Sequence, residues 1–122
     1  MNIKFNKKAH WDKAQHNQAA SAFLGQDTDD YRDWQVTTTF YAAIHLLQGY
    51  FSNKTRHYPQ THQERDELIA TSPDLSPIWS SYRELKRLSV STRYLCLPTN
   101  SHDVNESLSL LGKIREHVER LT

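Results

Sequence analysis

One cysteine, three glycines and four prolines stand among 122 residues. A lone Cys96 excludes an internal disulfide and is the usage expected in a reducing cytoplasm. So little glycine and proline argues against a loop-rich or low-complexity chain and favours long regular elements. No apolar run approaches a membrane span, and the opening MNIKFNKKAH is basic without the apolar core of a secretory signal. The net charge is only +1, so no excess of one sign marks the whole chain as a nucleic-acid or membrane binder, and any basic site has to be local. Gly-rich phosphate loops, Gly-x-Ser-x-Gly, histidine pairs at i, i+4 and paired Glu-x-x-His motifs are all missing, so neither a metal nor a cofactor is expected.

What the chain does have is apolar spacing of helical period. Val104, Leu108, Leu111, Ile114, Val118 and Leu121 step by three and four residues, the stripe of one buried helix face. Asp103 and Glu106 are spaced as cap and N3 residue at its start. Upstream, Trp34, Thr37, Tyr41, Ile44, Gln48 and Phe51 make one stripe, and Val36, Phe40, Ala43, Leu47 and Tyr50 make a second beside it. Two adjacent stripes predict a central helix buried over much of its circumference, with Asp29, Asp30 and Asp33 at the dipole-favoured start. Ser76 and Pro77 open another helix, whose core stripe is Ile78, Tyr82, Leu85, Leu88 and Thr92. A first helix over 8–24, anchored by Trp11, Ala19 and Phe23, ends at Gly25. With a short helix over 61–70, the expectation is an all-α chain, 1–122 as one domain, folded as an antiparallel up-and-down bundle of four main helices plus one short helix.

Two polar clusters stand out. In HYPQTHQERDEL, Thr61 and Glu64 are spaced as a capping box, which makes His62 the first helical residue. His62 then shares a face with Arg65 and Asp66. Arginine in a first helical turn opposes the dipole and needs a partner, which Asp66, Glu67 or a bound anion would supply. The plain alternative is a solvated helix start with local ion pairs. The second cluster is Arg83, Lys86, Arg87 and Arg93, a basic stripe beside a core stripe, suited to phosphate or to a solvated face. His45 is expected in the core or at an interface with a hydrogen-bond partner. Cys96, with no base spaced to activate it, is expected to be buried. Trp34, Tyr41 and Tyr50 read as packing aromatics.

These segments together resemble the HEPN superfamily of small prokaryotic helical domains. The resemblance rests on an aromatic-aromatic-Ala-Ala-x-His helix (Phe40, Tyr41, Ala42, Ala43, His45), a His-x-x-Arg helix start (His62, Arg65) and a Tyr-x-x-Leu helix closing on Arg-Tyr (Tyr82, Leu85, Arg93, Tyr94). It spans residues 31–96 and implies a helical bundle that dimerises. It also implies RNA processing or defence of the toxin type. Many such domains are metal-independent endoribonucleases, while others bind nucleotides or partner small nucleotidyltransferases without catalysis. The superfamily's Arg-x(4–6)-His motif fits Arg56, polar His57 and His62, whereas Arg93 and His102 are separated by eight residues. The resemblance thus implies His62 for proton transfer, with Arg56 or Arg65 on the phosphate and His57 beside them, while the shared helix face adds Asp66 and the basic stripe adds Arg83, Arg87 and Arg93 as binding residues. It leaves two functions open: a ribonuclease using a His/Arg pair on RNA, or a non-catalytic binding or scaffold module.

Overall fold

The computed structural model describes residues 6–54 and 58–122, with the side chain of residue 54 also left aside. Five α-helices and one short 3-10 turn account for most of these residues: α1 Lys7–Leu24, α2 Arg32–Lys54, α3 His62–Thr71, the turn Ser76–Ile78, α4 Trp79–Tyr94 and α5 Ser101–Leu121. The chain is an all-α helical bundle, as its apolar periodicity predicts. None of the described helices is long and apolar enough to cross a membrane.

The central element is α2, which packs against α1, α4 and α5. Its second predicted stripe is buried in full: Val36, Phe40, Ala43, Leu47 and Tyr50. Its first is buried only from Thr37 onward, through Ile44, Gln48 and Phe51, while Trp34 and Tyr41 face outward. The α1–α2 pair runs antiparallel, because contacts that climb α1 descend α2. His10 meets His45 and Trp11 meets Leu46 at one end, and Ser21 meets Gln35 and Thr39 at the other.

Several local expectations shift. In α1, Ala14 and Ser21 are the buried residues, while Ala19 and Phe23 are exposed. Gly25 takes the C-cap of α1 at an ordinary negative φ. The cap of α5 is Asn100, and Asp103 is the N3 residue of a reciprocal capping box, one turn earlier than the Asp103/Glu106 reading. Asn at this position satisfies the free N–H of Asp103 while the Asp103 carboxylate accepts from Asn100 N–H. On α5, Ser107 and Leu110 turn inward and Leu108 lies outward, 41 % exposed. Ser76 and Pro77 start the 3-10 turn that leads into α4 rather than α4 itself. Cys96 is exposed and sits at φ 54, a conformation that lets the chain reverse after α4.

The α1–α2 contact is set by a glycine. A Cβ on Gly49 would lie 2.4 Å from Trp11 Cδ1 and 2.5 Å from its Nε1. That close approach lets the Trp11 indole donate to the carbonyl of Leu46 at 3.2 Å. Gly112 on α5, by contrast, faces open space. Alanine in a helix gains about 1 kcal/mol over glycine, while overpacking costs about 1–3 kcal/mol. Urea unfolding should therefore show Gly112→Ala stabilised by about 1 kcal/mol and Gly49→Ala destabilised by about that amount. Equal stabilisation by both would mean that Trp11 does not pack on Gly49.

Candidate functional site

The start of α3 is built as its sequence reads. Thr61 caps it, its hydroxyl accepting from Glu64 N–H at 3.1 Å, and the Glu64 carboxylate accepts from Gln60 N–H at 3.2 Å. His62 is the first helical residue, exposed, with its ring stacked on the buried Phe40 of α2 at a centroid distance of 6.2 Å. Arg65 turns the opposite way, into the bundle, and is only 6 % exposed. Its partners are not the expected carboxylates. Nε donates to Gln48 Oε1 of α2 at 3.1 Å, and Nη1 lies 3.1 Å from His62 Nδ1. The Gln48 amide in turn donates to Pro59 O at 2.8 Å, which ties the segment before α3 to α2. The buried Tyr82 hydroxyl lies near Arg65 without a hydrogen bond of good geometry, and burial pushes it up to about 12.

This contact fixes the chemistry of His62. A guanidinium only donates, so His62 Nδ1 accepts and the neutral ring carries its proton on Nε2. The imidazole pKa is lowered, first by the partial desolvation of a ring that lies with one face on Phe40 although the residue is exposed, then by the charges of Arg65, Lys86 and Arg93, against an opposing pull from Asp66. His62 is therefore a neutral N–H donor set among three cations and one carboxylate. One oxygen of that carboxylate is taken, Asp66 Oδ2 accepting from Lys86 Nζ of α4 at 2.6 Å, while the buried Oδ1 has no hydrogen-bond partner among the described residues.

Arg93 completes the corner from the last turn of α4. Its guanidinium carbon lies 5.9 Å from the Phe40 ring centre, 5.6 Å from Tyr41 and 4.9 Å from Tyr94. Nη1 donates to the Tyr41 hydroxyl at 3.0 Å, and Nε reaches Ser89 O at 3.3 Å. Among the described residues it pairs with no carboxylate, and Nη2 has no partner. The rest of the basic stripe does not join it. Arg87 forks onto Glu84 of its own helix, at 2.6 Å and 3.0 Å, and thereby lowers the Glu84 carboxyl pKa. Arg83 is exposed. Arg56 and His57 lie outside the described residues, as does the Arg-to-His spacing built on Arg56.

Of the sequence-derived candidates, the fold thus brings together His62, Arg65, Asp66 and Arg93. Gln48, Phe40, Tyr41 and Tyr94 join them, although the sequence does not mark them as site residues. Gln48 carried a signal, since a polar side chain interrupted an otherwise apolar stripe. Tyr41 carried none, because its stripe position predicted burial.

A second polar cluster ties α1 to α2. His10 Nδ1 lies 3.0 Å from His45 Nδ1, and His10 Nε2 lies 2.8 Å from the Tyr58 hydroxyl. Two consistent proton arrangements exist, with the hydrogen bonds pointing along the chain either way. Burial, then the neighbouring His10, Lys13 and Arg65, lower His45 to about 4. No cluster of metal-binding side chains occurs among the described residues.

No family model, no curated protein and no solved structure matches this chain.

Two outcomes follow from these contacts. Gln48→Leu leaves the buried Arg65 Nε without its acceptor and should cost about 2–3 kcal/mol in urea unfolding; a neutral result would mean that Arg65 finds another partner at no cost. His45 stays neutral in the fold down to about pH 4, whereas the unfolded chain takes up its proton near the ordinary 6.5. Stability should thus be unaffected by this group above pH 6.5 and fall as pH drops from 6.5 to 4. Because the ring is partly exposed, the loss is about 1–2 kcal/mol. His62, lowered in the same direction, adds to it. His45→Gln should lose less stability than the parent over this interval; an identical slope would remove His45 as its source.

Proposed function

We propose that this chain is a cytoplasmic, non-catalytic HEPN-like module that binds RNA or nucleotide through a phosphate held between Arg93 and His62. The observation that carries the reading is the state of the cationic corner. Arg93 stays without a carboxylate, braced by Tyr41 and Tyr94, beside a histidine whose surroundings are net positive. Half-buried Arg93 and Lys86 grouped around an N–H donor suit an anion with several oxygens, and the aromatic rings beside them suit a base.

The ribonuclease reading of the same residues meets a physical obstacle. Cleavage by an RNA 2′-OH needs one group to take its proton and another to deliver one to the leaving oxygen. In neutral His62 the open nitrogen already carries a proton, and the acceptor nitrogen is occupied by Arg65. The lowered pKa keeps the ring from storing a proton near neutrality. Arg65, buried and bonded to Gln48, is not presented to a phosphate either. What these residues keep is donation: His62 Nε2–H, Lys86 and Arg93.

The test is one protein preparation with two readouts. Parent protein is titrated into fluorescent single-stranded RNA at low salt, and the same RNA is incubated with it in EDTA and sized. The expected result is saturable binding, weakened by added salt and at least about tenfold by Arg93→Ala, with the RNA intact. Cleavage that His62→Ala abolishes would overturn the non-catalytic reading in favour of the ribonuclease. Absence of binding would overturn both.

A further inference from the structure

Beside the cationic corner is a cleft between the first turns of α2 and the last turn of α4. Asp33, Trp34 and Thr37 line one side, and Thr92, Arg93 and Tyr94 line the other. Its volume is about 280 Å³, just below the range of pockets that enclose drug-sized ligands. A single heterocycle fits that space better than a whole nucleotide.

Each wall carries an exposed aromatic ring. Trp34 is 53 % exposed and Tyr94 68 % exposed, although Trp34 occupies a position whose stripe is buried farther along the same helix. Large aromatic surface left in water on both sides of a cleft is the arrangement on which bases stack. Arg93 lines this cleft as well as the His62 corner, so a phosphate at the corner and a base in the cleft could belong to one nucleotide.

The cleft also contains an acid. Asp33 lies in the first turn of α2, and its carboxylate makes no ion pair or hydrogen bond among the described residues. Its backbone carbonyl is already used by the Thr37 hydroxyl at 2.9 Å, which leaves the carboxylate as its free acceptor, on a residue that lines both this cleft and the neighbouring one beside Arg32 and Cys96. A carboxylate accepts only, with two oxygens side by side. The base edge that matches it presents two adjacent N–H donors. Guanine does so with its ring N–H and its exocyclic amine. Adenine and cytosine offer an amine beside an acceptor nitrogen, and uracil offers one N–H flanked by two carbonyls.

Resting on the RNA-binding reading above, we propose that this cleft is a base-recognition pocket that selects an unpaired guanine, stacked against Trp34 and Tyr94 and read by the Asp33 carboxylate. Arg93 then links the two halves of the site, contacting the phosphate and closing one wall of the base pocket.

The experiment measures anisotropy of short uridine oligomers carrying a single central guanosine, inosine, adenosine or cytidine. Inosine keeps the ring N–H of guanosine and lacks the amine. The expected order places guanosine about tenfold ahead of the other three, the size of one bidentate base contact. Asp33→Asn should erase that preference while retaining binding, because the phosphate contacts remain. Its circular dichroism should match the parent, with melting lowered only slightly by the lost charge at the start of α2, and Asp33→Ala supplies the second variant if Asn does not fold. Four equal affinities in the parent would overturn the guanine pocket and leave phosphate binding standing. No binding to any oligomer would overturn the RNA-binding reading itself. A parent that dimerises and becomes monomeric with Trp34→Ala, at unchanged RNA affinity, would assign the aromatic walls to a second copy of the chain and overturn the pocket.

Discussion

A buried arginine held by a neutral amide organises this protein. Arg65 brings a full positive charge into the bundle, where a solitary ion is costly unless hydrogen-bonded. Gln48 meets it from α2, and the same amide holds Pro59, so one glutamine fixes both the segment before α3 and the helix itself. The third contact, to His62 Nδ1, sets the histidine's orientation and tautomer from within the fold. Because Gln48 is neutral, it accepts the Nε hydrogen bond without cancelling the charge. That uncancelled charge acts on His62 at the surface.

The corner therefore differs from an ordinary solvated helix start. On solvated helix surfaces cations and acids pair off, as Lys8 does with Asp12 in the first turns of α1 and Arg87 with Glu84 midway along α4. Around His62 only Lys86 has its acid, Asp66. Arg93 is restrained by rings and by hydroxyl and carbonyl oxygens instead, which hold its geometry without neutralising it. Phe40 underlies both His62 and Arg93, so a core residue of α2 sets the distance between groups delivered by α3 and α4.

Much of the fold was legible in the sequence because helical period and burial report the same thing along α2, α4 and α5. The double stripe of α2 read correctly where helices cover it on several sides. It failed at Trp34 and Tyr41, where the bundle leaves the cleft and the Arg93 corner uncovered, since periodicity specifies a face but not how far its neighbours extend. The Thr61 cap of α3 is local and legible in the sequence, whereas Glu64 reaches past the N-cap to Gln60 N–H instead of closing the box on Thr61. The α5 cap shifted by one turn because Asn100 and Asp103 offer a better reciprocal pair than Asp103 and Glu106. The partner of Arg65 was hidden for a different reason. Carboxylates at i+1 and i+2 are the obvious candidates along the chain, whereas Gln48 lies 17 residues away and becomes a neighbour only when α3 docks on α2.

What His62 presents to a ligand is read directly by nitrogen-detected NMR of the histidine rings. With His62 assigned by comparison with His62→Gln, the ring at neutral pH should show a protonated Nε2 and a bare Nδ1, and should titrate below the usual histidine value. A bare Nε2, or a titration above the usual value, would mean that Arg65 does not hold the ring. It would return His62 to the role of a proton-transfer group.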